Sequence, residues 1–215
     1  MKKFFLPLLS AIVVVFSSCT PELKIKAKSD NSVEVTFKTG FSEQASKSIK
    51  KLVGIKDGDP LFSPADMIQL MTEAGAVNVS AKMQSENDVQ ASGTLQNVRN
   101  TAFYATGIIR QEEKNGKSAT TISIGPAEIQ KFYALLDENT QAYVDTMMIP
   151  CLIGETMSEN DYKLLLSTMY GPTFANELVE GTITITLEDS TGKKKKFTEK
   201  LGTLLTMTTK KEWSI

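Results

Sequence analysis

Apolar and polar residues alternate with a period of two once the N-terminal segment is passed. Leu23, Ile25 and Ala27 interleave with Lys24, Lys26 and Lys28; Val33, Val35 and Phe37 interleave with Glu34, Thr36 and Lys38. Successive side chains of a strand point to opposite faces, so each run predicts a strand with one buried face. Ser29-Asp30-Asn31-Ser32 between them is turn chemistry, which makes the pair a hairpin. Lys24, Lys26 and Glu34 point outward and are placed to pair across it. The period then lengthens. Ala45, Ile49, Leu52 and Val53 fall on one helical face between Ser42, a capping residue, and Gly54, a stop. Met67, Leu70, Met71 and Ala74 form a second stripe, started by Ser63-Pro64-Ala65-Asp66 and ended by Gly75.

Alternation returns at Val77, Val79, Ala81 and Met83, turns at Ser85-Glu86-Asn87-Asp88, and comes back through Val89, Ala91, Gly93 and Leu95. Residues 102–110 and 118–124 flank a stretch containing Asn115-Gly116, a dipeptide favoured in two-residue hairpin loops. Pro126 opens a helix with Ile129, Phe132, Tyr133 and Leu136 on one face, and a further helical stretch, 142–148, runs to Pro150. Ser158-Glu159-Asn160-Asp161 repeats the capping signature ahead of Leu165, Leu166 and Met169. Gly171-Pro172 breaks that helix, and Phe174 and Leu178 suit one more short helix before Gly181. Ile183, Ile185 and Leu187 then alternate with threonines, and Asp189-Ser190-Thr191-Gly192 turns. Residues 193–201 and 204–209 read as further strands. The order is strands, helices, strands, helices, strands, without βαβ regularity. It predicts an α+β fold: an antiparallel sheet built from hairpins with helices packed on it. Residues 23–215 make a single globular domain, divided by no fixed-period repeat or long linker.

The start of the chain follows a different logic. Met1-Lys2-Lys3 is basic, residues 4–16 carry no charge, and Phe16-Ser17-Ser18-Cys19 places two small residues before a cysteine. This is the order of a cleaved secretory signal. The run is shorter than the about 20 apolar residues that span a bilayer. With a cysteine at the cut site, the segment resembles the signal of bacterial lipoproteins cleaved by signal peptidase II. The resemblance implies removal of residues 1–18, a diacylglycerol on Cys19, and a palmitate-type lipid anchor whose partner is the membrane. An uncleaved anchor, or ordinary cleavage with Cys19 incidental, are the competing readings. Phe16 stands where the commonest box has leucine, a relaxation similar to that of spirochaete lipoproteins. Thr20 replaces the aspartate that keeps enteric lipoproteins in the inner membrane, which implies the outer membrane of a bacterial cell envelope. A lipidated terminus followed at once by a hairpin and a helix, over residues 19–53, resembles small LppM-like tethered α+β lipoproteins. That likeness carries no functional residues. Residues 19–22 form the tether. Only Thr20-Pro21-Glu22 lies between Cys19 and the first strand, a leash of about 10 Å at about 3.3–3.6 Å per extended residue. The end of the domain bearing Leu23 is therefore expected to face the headgroups.

Composition narrows what the domain can do. The chain has no histidine. That removes Ser-His-Asp and Cys-His arrangements, the commonest zinc ligand and any histidine general base. With Cys19 lipidated, Cys151 is left alone in an apolar run, where a thiol packs as a small hydrophobe. A net charge of −1, or −3 once Lys2 and Lys3 are removed, does not suit nucleic acid. Asp57-Gly58-Asp59 has the look of an acidic calcium loop, but its twelfth position is Ile68, where a bidentate glutamate is required. Glu112-Glu113, Asp137-Glu138 and Glu159 with Asp161 are paired carboxylates, set in polar turns and helix starts that favour solvation and capping over acid–base work. Lys193, Lys194, Lys195 and Lys196 are the sharpest charge feature. They either meet an anionic membrane surface, at about 1 kcal/mol per residue, or form a solvated strand start that discourages edge pairing. Alternation sends neighbours to opposite faces, so not all four reach one surface. Met67, Met71, Met147, Met148, Met157, Met169 and Met207 suit core filling, Met67 and Met71 by helical spacing, and leave open an apolar cavity. No catalytic residue, metal ligand or cofactor is assigned. The sequence predicts a membrane-anchored, non-enzymatic envelope protein, a structural or interaction module. The alternative is a binder or carrier of a lipid or small apolar ligand.

Overall fold

The computed structural model describes residues 21–215 except 57, 62, 115–116, 136–140, 142–143 and 146, and except the side chains of 52, 53, 66, 113, 114, 117 and 118. The signal segment, Cys19, Asp57, the Asn115-Gly116 dipeptide and Asp137-Glu138 lie outside the described residues, as do the side chains of Leu52, Val53, Asp66 and Glu113.

The first hairpin forms as expected. β1 (Glu22–Ala27) and β2 (Val33–Gly40) pair antiparallel, with Leu23 opposite Phe37 and Ile25 opposite Val35. Asn31 takes the left-handed conformation in the turn (φ 63°), which asparagine tolerates better than most residues. β3 (Val77–Ser85) and β4 (Asp88–Leu95) make a second hairpin, whose β4 pairs with β2. β7 (Thr182–Glu188) and β8 (Lys194–Lys200) make a third. The three join in one six-stranded sheet of order β3-β4-β2-β1-β7-β8.

The fold is α+β, but the sheet is mixed rather than antiparallel throughout. β1 and β7 run parallel, Leu23 beside Ile185 and Ile25 beside Leu187. Parallel neighbours need a long crossover, and here the crossover is everything between the first hairpin's opening strand and the last hairpin. A second, three-stranded antiparallel sheet has the order β5-β6-β9, from β5 (Ile109–Lys114), β6 (Lys117–Ile124) and β9 (Lys211–Ser214). Lys114 pairs with Lys117, the register of a two-residue loop.

Capping chemistry sets the helices. α1 (Glu43–Val53) begins where Ser42 Oγ accepts from the Ala45 N–H at 3.1 Å and stops at Gly54 in the left-handed conformation. α2 (Pro64–Glu73) is capped by Ser63, with proline in its first turn. α3 (Ala102–Ala105) is a single turn capped by Thr101, so residues 102–110 are a helical turn and then β5, not one strand. α4 (Pro126–Tyr133) and α5 (Pro150–Ile153) follow; of residues 142–148, Val144 and Asp145 are helical. α6 (Glu159–Tyr170) is capped by Ser158 Oγ, and α7 (Pro172–Glu180) starts at the Gly171 break. The expected strand over 204–209 is not formed. Leu201, Leu204 and Leu205 instead bury one face of α8 (Leu201–Leu205), and the strand falls later, at β9. Gly202 permits this packing: a Cβ there would lie 2.7 Å from Val179 Cγ1 and from the Val179 carbonyl oxygen.

One face of the large sheet carries the core. Ile25, Val35, Ala91, Ile183, Ile185 and Leu187 are all buried, and full burial of each large side chain contributes about 1.5–3 kcal/mol. The other face presents Lys24, Lys26, Thr36, Lys38, Ser92, Thr184 and Thr186. The buried residues form one contiguous cluster that includes the small sheet and the helices.

Candidate functional site

The apolar stripes of three distant segments face one another without filling the space between them. β1 and β2 contribute Leu23, Ile25, Val35 and Phe37, alternate residues that the pleat places on one face. α2 and its C-cap contribute Met67, Leu70, Met71 and Ala74, the i, i+3, i+4 and i+7 positions of its inner stripe. Opposite them stand Ile108, Ile109, Ile122 and Ile124 at β5 and β6, with Phe103 of α3 and Ile129 and Phe132 of α4. They line a partly open cavity of about 170 Å³. Its floor is buried: Ile25 and Met67 are 1% exposed and Ile122 is 0%. Leu23, Leu70, Met71, Phe103, Ile108 and Phe132 are half-buried and form the rim. The rings of Phe103 and Phe132 stack there with centroids 6.0 Å apart.

Among the described residues, every one that lines the space is apolar. Their side chains bring no donor, acceptor or ionisable group to it, and so nothing for acid–base or nucleophilic chemistry. Polar partners are what an ordered water needs, and an apolar lining holds water weakly. What this arrangement can do is take hydrocarbon out of water. Met67 and Met71, read from spacing as core filling, are both core and cavity wall. Ile129 and Phe132 are likewise legible as one helix face; their meeting with β1 is not.

The charged features lie elsewhere. Lys193 belongs to the turn, its N–H donating to Asp189 Oδ1 at 3.0 Å. Lys194 and Lys196 share the outer face of the large sheet, and Lys195 points to the other side, where its Nζ donates to the Ser214 carbonyl at 3.0 Å. The four lysines are thus separated as alternation requires. The outer face centres on Glu188, whose side chain is 7% exposed and lies 3.2 Å from Lys26 Nζ, 3.4 Å from Lys194 and 3.7 Å from Lys24. Partial burial pushes the Glu188 carboxyl up, but the contacts with Lys26 and Lys194 outweigh it, and its pKa lies below the ordinary glutamate value. Lys24 and Lys26 therefore pair with Glu188, while Glu34 pairs with Lys28 at 3.6 Å.

Of the paired carboxylates, Glu159 and Asp161 hold the scaffold. Glu159 accepts from Lys200 at 2.8 Å and from Thr203 at 2.6 Å, and Asp161 completes the cap of α6 through Ser158. Glu180 joins Lys163 and Lys200, whose hydrogen bonds lower its pKa to about 2. Glu112 and Asp59 are exposed. Cys151 is 3% exposed, and desolvation pushes its thiol up to about 12, which makes it inert. Among the described residues no group of three or more carboxylates or thiols is disposed to hold a metal ion. None of their helices is long and apolar enough to cross a membrane.

The fold and cavity define an α+β domain with an apolar chamber between two sheets. Compared with known proteins, the chain matches no family model, no curated protein and no solved structure.

Proposed function

We propose that this chain is a lipid-anchored protein of the bacterial cell envelope, held at the outer membrane through Cys19, that acts by binding a small apolar ligand or lipid chain rather than by catalysis. The cavity between the sheets carries this reading. Apolar side chains around about 170 Å³ of unfilled, partly open space forgo the contacts that packing would give them. A purely structural module gains nothing from that loss, whereas an apolar ligand restores the contacts when it fills the space. The apolar character of every described lining residue supports binding over chemistry, and the signal pattern ending at Cys19 supports the anchor.

Two measurements test the two halves. Cells are labelled with a palmitate analogue, and label is expected on the wild type and not on Cys19→Ala; equal labelling of both refutes the anchor. The Cys19→Ala chain, purified without detergent, is then heated with benzene, indole or n-octanol. A ligand at about 100 times its Kd adds about 2.7 kcal/mol of stability, so Tm is expected to rise. If no apolar compound raises Tm and none co-purifies by native mass spectrometry, the ligand reading falls.

A further inference from the structure

We infer that the cavity receives the end of a linear acyl chain, inserted tail-first from the membrane on which the domain sits, with the headgroup left outside the rim. This rests on reading the cavity as a ligand site, and it specifies what enters and from where. The described lining residues offer no donor, acceptor or charge, so a headgroup brought inside would be left unpaired among them at a large desolvation cost. The part that enters is hydrocarbon alone. Space sets its length. An engineered cavity of about 150 Å³ lined by Leu, Ile and Phe holds benzene. By that measure about 170 Å³ takes roughly six to eight methylene groups. A membrane acyl chain is longer, so its remainder and its headgroup stay at the rim.

The rim includes a residue close in sequence to the anchor. Leu23 is half-buried at the rim and belongs to the first strand, four residues after Cys19. That separation spans about 14 Å at most. Pro21 is buried, and its carbonyl accepts from the Thr184 N–H at 2.9 Å. Of the expected tether, only residues 19 and 20 precede chain already fixed to the sheet. A lipid on Cys19 thus holds the rim at the membrane surface, next to the chains that fill it. Met71, on the same rim, has the flexible side chain that adapts to chains of different length.

Trp213 gives a direct readout. It is the protein's one tryptophan, is 5% exposed, and pairs with Ile122 of the cavity floor across β6 and β9. The lipidated full chain is placed in phosphatidylethanolamine–phosphatidylglycerol vesicles with bromine near the acyl methyl end. Trp213 fluorescence is expected to fall more than with bromine placed next to the headgroup. In a second arm, n-alkanols from butanol to dodecanol are titrated into the Cys19→Ala chain. Affinity is expected to rise about fourfold per methylene and to level off once the cavity is full. Met71→Ala should move that break to longer chains and Ala74→Phe to shorter ones. Both positions are half-buried, and urea midpoints verify that the variants fold. Alkanol binding to Cys19→Ala without quenching in the lipidated chain means that the protein's own acyl chain fills the cavity, which overturns the membrane source. Absence of lipid on Cys19 overturns it too. Benzene or indole binding without any dependence on alkanol length overturns the acyl class and leaves a ligand site standing. Failure of every apolar probe removes both readings.

Discussion

Ile25 and Ile185 sit on neighbouring strands of the large sheet and are 1% and 0% exposed, yet only Ile25 lines the cavity. Truncating each to alanine compares a side chain that faces empty space with one packed all round. Each change removes three carbons from apolar surroundings, a transfer loss of about 2.4 kcal/mol at about 0.8 kcal/mol per methylene. At Ile185 it also opens a new void. A residual void of roughly 60 Å³ adds about 1.4 kcal/mol, so Ile185→Ala should cost about 4 kcal/mol in all. Ile25 already lacks partner atoms on its cavity side. Fewer dispersion contacts are lost, and Ile25→Ala should cost about 2.5–3 kcal/mol. Urea unfolding followed by Trp213 fluorescence gives both values, provided the slope is unchanged. Saturating n-octanol then separates them further. It should raise the midpoint of Ile25→Ala more than that of the wild type, because the site is larger, and leave Ile185→Ala responding as the wild type does. Equal losses at the two positions, or a larger octanol response at Ile185, would refute an apolar cavity between the sheets.

Glu188→Gln removes the anion shared by Lys24, Lys26 and Lys194. Because the Glu188 pKa is lowered on folding, its stabilisation is fully present above the unfolded-state value and is lost as pH falls through the folded one. The urea-midpoint gap between wild type and Glu188→Gln should therefore close on acidification; a gap that widens contradicts the ion cluster. With its thiol at about 12, Cys151 holds about one part in ten thousand as thiolate near pH 8. Iodoacetamide should label the chain only in urea, and labelling of the folded chain at the rate of a free thiol would contradict that burial. Tyr162 is 0% exposed and its hydroxyl donates to the Met147 carbonyl at 2.9 Å. Tyr162→Phe leaves that carbonyl unpaired and should cost about 1–3 kcal/mol by calorimetry; an unchanged Tm would mean that another donor reaches it.

The elements legible in the sequence are those whose signals are local. Period-two alternation and a polar turn suffice for β1 and β2, and Ser42, Ser63 and Ser158 announce three helices by side chains that accept from N–H groups two or three residues on. The parallel β1–β7 pairing leaves no such trace. Its partners, Leu23 and Ile185, lie at opposite ends of the chain, and an alternating strand reads the same whichever neighbour it takes. The last helix is hidden for a different reason: a short leucine-rich run such as 201–205 fits either period, and only burial of Leu201, Leu204 and Leu205 against α7 decides it. The cavity is the least legible feature. Each stripe that lines it is a proper core stripe. The empty space arises from the sum of their volumes, which no single segment records.

Parity along β1 ties the cavity to the charged face behind it. Leu23 and Ile25 point into the chamber; Lys24 and Lys26 point away from it toward Glu188 on β7. A slip of one residue would exchange the two sets, driving both lysines into a hydrocarbon wall and both apolar residues into water. An ordinary core resists such a slip by close packing, but a wall that faces empty space resists it less. The shared carboxylate supplies the missing constraint. Glu188 is nearly buried and is met from both flanks, by β1 lysines and by Lys194 of β8, so it binds the strand beside the cavity to β7 and β8, which carry no part of it. Lys24, Lys26 and, from the surface charge run, Lys194 alone thus help the sheet keep its register over an unfilled interior.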